Sequence, residues 1–130
     1  MFVIDASSAL RAALRLRGLA EIADLQPVGP PLLWSEAVSA IRQAVWRREI
    51  TDEVGTEALA RFLAAPIERK APRALYRRAW QIASQLGWAK TYDAEYVALA
   101  QVLGCPLVTR DRRLARRVKD LVEVISPTNL

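Results

Sequence analysis

The sequence predicts an α/β fold in which helices flank a mostly parallel central sheet. One observation leads to this prediction, and a second indicates that the chain forms a single domain. Short apolar runs typical of strands alternate along the chain with longer segments whose apolar residues follow the helical period. Strands that alternate with helices are typical of β-α-β units. Hydrophobic residues make up 52% of the 130 positions, and no repeat, low-complexity segment or linker divides them. We therefore expect a single domain over residues 1–130.

The first half of the chain is predicted to hold one strand and three helices. In order they are a strand at 2–4, a helix from Ser7 or Ser8 to about Arg17, a short helix at 19–25, a loop at 26–31, and a long helix from about Ser35 to Arg48. The loop prediction rests on three prolines and one glycine within six residues. A short apolar piece at 32–34 leads into the long helix, whose apolar stripe is Val38, Ile41 and Val45.

The second half continues the alternation. The predicted elements are a helix at 51–65, a short edge strand within 66–71, helices at 72–86 and 92–103, a strand at 106–109, a basic helix from Asp111 to about Lys119, and a last strand at 121–125. The first of these helices is expected to face inward with Val54, Leu59, Phe62 and Leu63. The helix at 92–103 is apolar on nearly every side, so we expect it to be central and buried.

The chain contains no histidine and one cysteine, Cys105. Without histidine the chain cannot form a Ser-His-Asp triad, a Cys-His pair, a histidine acid–base site or a histidine-bound zinc site. A single cysteine also excludes a thiolate zinc cluster. A single cysteine cannot form an internal disulfide, which favours a reducing, cytoplasmic location. If the protein hydrolyses a substrate, carboxylates must carry the chemistry, and hard cations such as Mg²⁺ or Mn²⁺ are the metals that carboxylates bind well.

The charge balance and the hydropathy pattern limit the partners. Nineteen basic against 14 acidic residues give a formal charge of +5, which favours polyanions such as nucleic acid. No apolar run approaches the ~20 residues that span a bilayer, and the first ten residues lack the pattern of a signal peptide. We expect no membrane association.

Four carboxylates stand where the predicted fold places ligands. Asp5 and Asp111 each follow a strand and precede a helix, which puts both at the carboxyl edge of a parallel sheet. Glu36 and Asp93 lie in the first turns of two other predicted helices. Helix capping is the alternative for each of them, because acidic side chains commonly cap helix N-termini. If all four meet, their repulsion requires raised pKa values or a bound cation.

Four segments carry a family resemblance. They are FVIDASSAL with Asp5 and Ser7, LLWSEAVSAIR with Glu36 and Arg42, TYDAEYVALAQVLGCPLVT with Asp93, and TRDRRLAR with Asp111. Their order and spacing resemble those of the PIN-domain nucleases, and in particular the VapC-type toxins of toxin–antitoxin pairs. The resemblance spans nearly the whole chain. It departs from the family at Ser39, because the family often carries asparagine three residues after the glutamate.

The resemblance implies a three-layer α/β/α sandwich and an endoribonuclease that depends on one or two Mg²⁺ or Mn²⁺ ions. It further implies an RNA substrate, a homodimer and neutralisation by a small antitoxin protein. Carried over by position, Asp5, Glu36, Asp93 and Asp111 are the catalytic, metal-binding set, and Ser7 supports it by hydrogen bonding.

Several other residues have two interpretations. Arg42, Arg110, Arg112 and Arg113 could bind RNA phosphates, although a solvated face or an ion pair also explains such residues. The four tryptophans could stack bases or anchor an antitoxin, but core or dimer interface is the commoner role. Glu95 is interpreted as a solvated helix position rather than an accessory ligand, and Cys105 as structural.

Two other functions stay open at this point. One is an aspartate-dependent phosphatase similar to the haloacid dehalogenase group. In that group a second aspartate follows two residues after the first, and here Ser7 holds that position. The other is a PIN-like module that binds RNA or protein without catalysis.

Overall fold

The computed structural model describes all of residues 1–130 and contains a five-stranded, all-parallel sheet. The strands are β1 (Phe2–Ile4), β2 (Pro27–Gly29), β3 (Glu68–Arg69), β4 (Leu107–Val108) and β5 (Val124–Ile125). Their order across the sheet is β3-β2-β1-β4-β5, so β1 is the central strand. Val3 pairs with Val28 on one side and with Leu107 on the other. The predicted parallel sheet is confirmed.

Seven α-helices flank the sheet. They are α1 (Ala6–Leu14), α2 (Gly18–Ile22), α3 (Leu32–Trp46), α4 (Asp52–Ala64), α5 (Leu75–Leu86), α6 (Tyr92–Leu103) and α7 (Arg112–Val118), with short 3₁₀ turns at Ala23–Leu25 and Pro127–Asn129. Right-handed crossovers place α1–α4 on one face of the sheet and α5–α7 on the other. The helix contacts agree, since α1 packs on α3 and α4, whereas α5 packs on α6. The result is the expected three-layer α/β/α sandwich.

The core lies between these layers and explains why α6 is apolar all round. Every residue from Ala94 to Ala100 is buried, including Tyr96 at 2% exposure and Glu95 at 8%. The strands are equally enclosed, because Val3, Leu107 and Val108 have no accessible surface. Parallel strands covered on both faces are expected to be apolar throughout rather than alternating.

The segment 26–31 was predicted as a loop, and this prediction is wrong. Residues 27–29 form β2, which pairs with β1 on one side and β3 on the other. Pro27 is the first residue of the strand, a position where the missing N–H is tolerated. Proline and glycine therefore mark the ends of a very short strand here rather than an irregular connection.

The start of α3 also differs from the prediction. The helix begins at Leu32, directly after Pro31, so that the predicted apolar piece at 32–34 belongs to it. Glu36 consequently lies in the second turn and not in the first. Proline is well suited to the beginning of a helix because its φ is already fixed near the helical value.

The inward face of α4 is rotated relative to the prediction. Gly55, Ala58 and Phe62 are buried, whereas Val54 and Leu63 are 37% and 61% exposed. Two later helices begin after the predicted residue. Helix α5 begins at Leu75 rather than at 72, and α7 begins at Arg112 rather than at Asp111, which is its N-cap. The edge strand expected within 66–71 is present as β3. No helix is both long and apolar enough to cross a membrane.

Candidate active site

The candidate site lies where the sheet topology opens a crevice. The chain leaves β1 toward β2 and leaves β4 toward β5, which lie on opposite sides of the β1–β4 pair. Open parallel sheets bind ligands at such a switch point, outside the carboxyl ends of the two strands. Asp5 directly follows β1, and Thr109 and Asp111 follow β4.

Asp5 is the most constrained carboxylate of the site. It is 8% exposed, and its Oδ1 accepts hydrogen bonds from the Ser8 backbone N–H at 3.0 Å and from the Ser7 hydroxyl at 3.3 Å. Its Oδ2 accepts a 2.5 Å hydrogen bond from the hydroxyl of Thr109. Asp5 is therefore the N-cap of α1, and the Ser7 hydroxyl donates to the same carboxylate oxygen.

Thr109 connects the two acidic strand ends. The β1–β4 register pairs Ile4 with Val108, so the next residues, Asp5 and Thr109, lie side by side. The Thr109 hydroxyl oxygen donates to Asp5 and also accepts from the Asp111 backbone N–H at 3.0 Å. Asp111 in turn caps α7 through a 3.0 Å bond from the Leu114 N–H to its Oδ1. One buried hydroxyl thus fixes both neighbours.

Asp93 joins this group from α6, which lies on the same face of the sheet as α7 and on the opposite face from α1. It lies in the first turn of α6, which precedes β4 and therefore begins at the same edge of the sheet. The residue is exposed overall, but loss of hydration around its carboxyl, followed by the charges of Asp111 and Asp5, raises its pKa. Asp93 is therefore close enough to Asp111 and Asp5 for their charges to act on its carboxyl.

Glu36 forms the other side of the site. The hydroxyl of Tyr96, in α6, donates a 2.6 Å hydrogen bond to its Oε1. Burial and the nearby Glu36 charge raise the pKa of Glu95. Burial and the hydrogen bond to Glu36, with the charges of Glu36, Asp5 and Glu95, raise the pKa of the Tyr96 hydroxyl far above its usual value. The Tyr96 hydroxyl therefore lies among three carboxylates.

The structure places Asp5 and Asp111 at the ends of β1 and β4 and Asp93 at the start of α6, and it bonds Glu36 to Tyr96 of that helix. It does not assemble these carboxylates into a metal-binding cage. No three acidic or other ligand-type side chains are arranged closely enough to hold a metal ion. The donor set nevertheless fits a hard divalent cation, because it consists of carboxylate oxygens, the ligands that such cations prefer. Loss of hydration and then the charges of Asp111 and Asp5 raise the pKa of Asp93, which a bound cation would offset. Capping does not exclude ligation, because an ionised carboxylate has about four acceptor positions.

The predicted basic residues are not gathered into the crevice. Arg42, Arg110, Arg112 and Arg113 are all exposed and take part in no ion pair. Arg42 borders an open groove on α3 together with Trp34, Ser35, Val38 and Ser39. The Ser39 hydroxyl, at the position where the family often has asparagine, accepts a 3.1 Å bond from the Gln43 side chain.

A model of the PIN domain matches residues 2–120. The chain belongs to the PIN-domain family. Ribonuclease VapC12 of Mycobacterium tuberculosis (strain H37Rv) is 38% identical over 120 residues, which cover 89% of this chain and 91% of that protein. Ribonuclease VapC9 of the same strain is 35% identical over 116 residues, which cover 88% and 89% of the two chains.

Solved structures have the same fold. PAE2754 from Pyrobaculum aerophilum aligns with a TM-score of 0.77 at 22% identity, over 98% of this chain and 91% of that one. The match to a toxin–antitoxin complex from Klebsiella pneumoniae has a TM-score of 0.64 at 15% identity and covers 98% of each chain. At these identities the likeness establishes the PIN-domain fold.

Three residues of this PIN-domain site were not assigned to it from the sequence. Thr109 could have been found from the strand register, since it follows β4 as Asp5 follows β1. Tyr96 follows Asp93 by three residues, so both lie on one side of α6. Glu95 was interpreted as solvated, but it is buried. The signal that could have identified Glu95 as buried is its place in the helix at 92–103, which is apolar on nearly every side.

Proposed function

We propose that this PIN-domain chain is an endoribonuclease that hydrolyses RNA phosphodiester bonds with one or two Mg²⁺ or Mn²⁺ ions. Asp5, Glu36, Asp93 and Asp111 are proposed as the catalytic, metal-binding set, with Ser7 in support. The observation that carries the proposal is the arrangement of Asp5 and Asp111 around the Thr109 hydroxyl, with Asp93 nearby. The pKa of Asp93 is raised by loss of hydration and then by the charges of Asp111 and Asp5. Relatives named as ribonucleases at 35–38% identity support the RNA substrate.

The chemistry follows from the chain's residues. A divalent cation, when bound, acidifies a coordinated water and offsets the negative charge that develops on the phosphate. Asp5 contributes a fixed carboxylate, held by Ser7, Ser8 and Thr109. Asp93 and Asp111 are exposed, so an RNA phosphate can reach them from solvent. No side chain has to act as a nucleophile, which agrees with the absence of histidine.

The exposed arginines fit an accessory role. Arg110, Arg112 and Arg113 flank Asp111 at the start of α7, where they can bind phosphates on either side of the bond to be cut. Arg42 lies on α3, as Glu36 does. Contacts of this kind add affinity and register without reading the base sequence.

Cleavage of labelled RNA by the purified chain tests the proposal. We expect cleavage with Mg²⁺ or Mn²⁺, none in EDTA, and a loss in Asp5→Asn and Asp93→Asn that exceeds the about 100-fold typical of residues around a metal site. Asp24→Asn is the matched control, because Asp24 is exposed and precedes β2 at the opposite edge of the sheet. Asp5→Asn and Asp93→Asn variants that cut like the parent would refute the site assignment. RNA binding without cleavage would favour a non-catalytic module, and phosphate release from a small phosphomonoester with intact RNA would favour a phosphatase.

We further propose that the chain is the toxin of a toxin–antitoxin pair, acting in the cytoplasm as a homodimer and neutralised by a small antitoxin protein. Its similarity to VapC ribonucleases over most of their length supports this. Expression should arrest growth, and co-expression of the neighbouring small protein should restore it. Harmless expression of active enzyme would count against a toxin. Light scattering of the purified chain tests the homodimer.

A further inference from the structure

Tyr96 is the one side chain that donates a hydrogen bond to Glu36. Its ring is 2% exposed, within the buried stretch of α6, and its hydroxyl donates to Glu36 Oε1 at 2.6 Å. Glu36 lies on α3, 60 residues earlier in the chain. No lysine or arginine forms an ion pair with Glu36, so this neutral donor is its partner. The contact joins the helix layers on opposite faces of the sheet.

The surroundings of Glu36 include a second, buried carboxylate. Glu95 is 8% exposed and close enough to Glu36 for their charges to interact unfavourably. A glutamate side chain has three rotatable bonds, and repulsion from Glu95 would move an unrestrained carboxylate toward solvent. The hydrogen bond from Tyr96 offsets this repulsion and holds Oε1 in the crevice. Oε2 accepts no hydrogen bond from the protein and stays free for a ligand.

We infer that Tyr96 is a positioning residue that holds the Glu36 carboxylate in the crevice for a divalent cation. The inference rests on the proposed function, in which Glu36 is a metal ligand. It adds a role for Tyr96, which acts through Glu36 and does not itself contact the ion or the RNA. Carboxylates that bind metals are commonly held in this way by a further hydrogen bond, and loss of such a partner lowers metal affinity or activity by about 10–100-fold.

Tyr96→Phe tests the role because it removes the hydroxyl and keeps the buried ring. We expect Mn²⁺ affinity, measured by calorimetry on the metal-free full chain, to fall by about 10–100-fold. The Mn²⁺ concentration that gives half-maximal RNA cleavage should rise in parallel, with the KM for RNA unchanged at saturating Mn²⁺. Tyr76→Phe is the matched control, because Tyr76 is 60% exposed on α5 and should have no effect on either measurement.

A double-mutant cycle with Glu36→Gln separates positioning from a general effect on packing. If Tyr96 acts through Glu36, Tyr96→Phe should weaken Mn²⁺ binding in the parent and add little in the Glu36→Gln background. Equal effects in both backgrounds, or parental Mn²⁺ affinity in Tyr96→Phe, would overturn the inference while the proposed function stands. A parent protein that neither binds Mn²⁺ nor cuts RNA would instead refute the proposed function, and the positioning role with it.

Discussion

The Thr109 hydroxyl is the most consequential small group of the site. It donates to Asp5 Oδ2 and accepts from the Asp111 N–H, and the residue is 3% exposed. A buried hydroxyl that both donates and accepts has no remaining freedom to rotate. It therefore fixes the orientation of Asp5 relative to the start of α7.

Replacing Thr109 with valine keeps the shape of the side chain and removes the hydroxyl. The Asp5 carboxylate then loses a partner in a place that little water reaches, which should cost about 1–3 kcal/mol of unfolding free energy. RNA cleavage should fall by about 10–100-fold, as for other groups that support a metal ligand. Thr109→Ser restores the hydroxyl and should retain most of the activity. Urea denaturation and cleavage assays measure both effects, and a fully active Thr109→Val would contradict this role.

Asp93 makes the stability of the folded protein depend on pH. Its pKa in the folded protein is raised above the ordinary value of 3.8, so folding favours the protonated carboxyl. The corresponding contribution to stability is complete below pH 3.8 and is lost as the pH rises through the raised value. Without metal, the protein should therefore become less stable over this range.

Asp93→Asn should remove this loss of stability at higher pH. In EDTA at pH 7 the variant should be more stable than the parent by up to roughly 1 kcal/mol, the scale of partly exposed charge interactions. At pH 3 the two proteins should unfold alike, because the Asp93 carboxyl is then neutral. Urea denaturation at the two pH values checks the prediction. An Asp93→Asn variant less stable than the parent at pH 7 would contradict the raised pKa of Asp93.

In helix α4, a change of one residue, about 100° around the helix axis, decides whether a side chain is buried. Phe62 is 1% exposed and packs against Trp34 with ring centroids 6.3 Å apart, whereas its neighbour Leu63 is 61% exposed. Trp34 is further covered by the Arg69 guanidinium, 4.6 Å from its ring centroid. The Trp34 ring therefore packs against Phe62 and Arg69 of the chain itself, as a structural tryptophan does.

Phe62→Ala and Leu63→Ala form a matched pair on α4. Phe62→Ala should lower the unfolding free energy by about 3–5 kcal/mol, because it leaves a cavity in a packed core. Leu63→Ala should change it by no more than about 0.5 kcal/mol, as for an exposed position. Urea denaturation monitored by circular dichroism distinguishes the two variants. Similar losses in both would mean that the inward face of α4 is assigned wrongly.

The sequence was sufficient for elements whose pattern is local. The buried helix α6 and the strands beside Asp5 and Asp111 follow from apolar runs and from glycines that end helices. The strand β2 could not be predicted, because its pairing with β1 and β3 depends on residues far along the chain. Val54 and Leu63 match a helical apolar stripe but face solvent, since tertiary packing selects among several possible faces.

Some residues of the site can likewise be predicted from local patterns, whereas others depend on contacts between distant parts of the chain. The positions of Asp5 and Asp111 at the sheet edge follow from strand-then-helix patterns. Capping, the alternative considered for each carboxylate, is present at both of these residues, so a capping role and the proposed ligand role coexist. The Tyr96–Glu36 contact joins residues 60 positions apart, and no local pattern in a single sequence reveals such a pair.

The whole molecule combines a net charge of +5 with an acidic crevice. RNA is attracted by the overall charge, whereas the crevice repels phosphates unless a cation offsets its carboxylates. Arg110, Arg112 and Arg113 are exposed at the start of α7, on either side of Asp111. They can therefore bind RNA phosphates next to the acidic crevice.

Salt dependence of RNA binding tests that arrangement. Each phosphate contact to single-stranded RNA contributes about 0.7 to the slope of log affinity against log salt. In an Asp5→Asn background, replacing Arg110, Arg112 and Arg113 together with glutamine should lower this slope by up to about 2, as expected for three contacts. Replacing Arg11 and Arg17, which are exposed on α1 and just after it, serves as the control. Equal slopes for the Asp5→Asn protein with and without the three arginine replacements would mean that RNA binds elsewhere.

The central claim is that the carboxylates at the β1–β4 switch point form one metal-binding site. Anomalous diffraction from crystals grown with Mn²⁺ tests it most directly, because the signal locates the ion without reference to the side chains. We expect a peak in contact with Asp5, Asp93 and Asp111, with Glu36 turned toward it and still bonded to Tyr96. A Mn²⁺ peak at any other place, in a preparation that cuts RNA, would contradict the account.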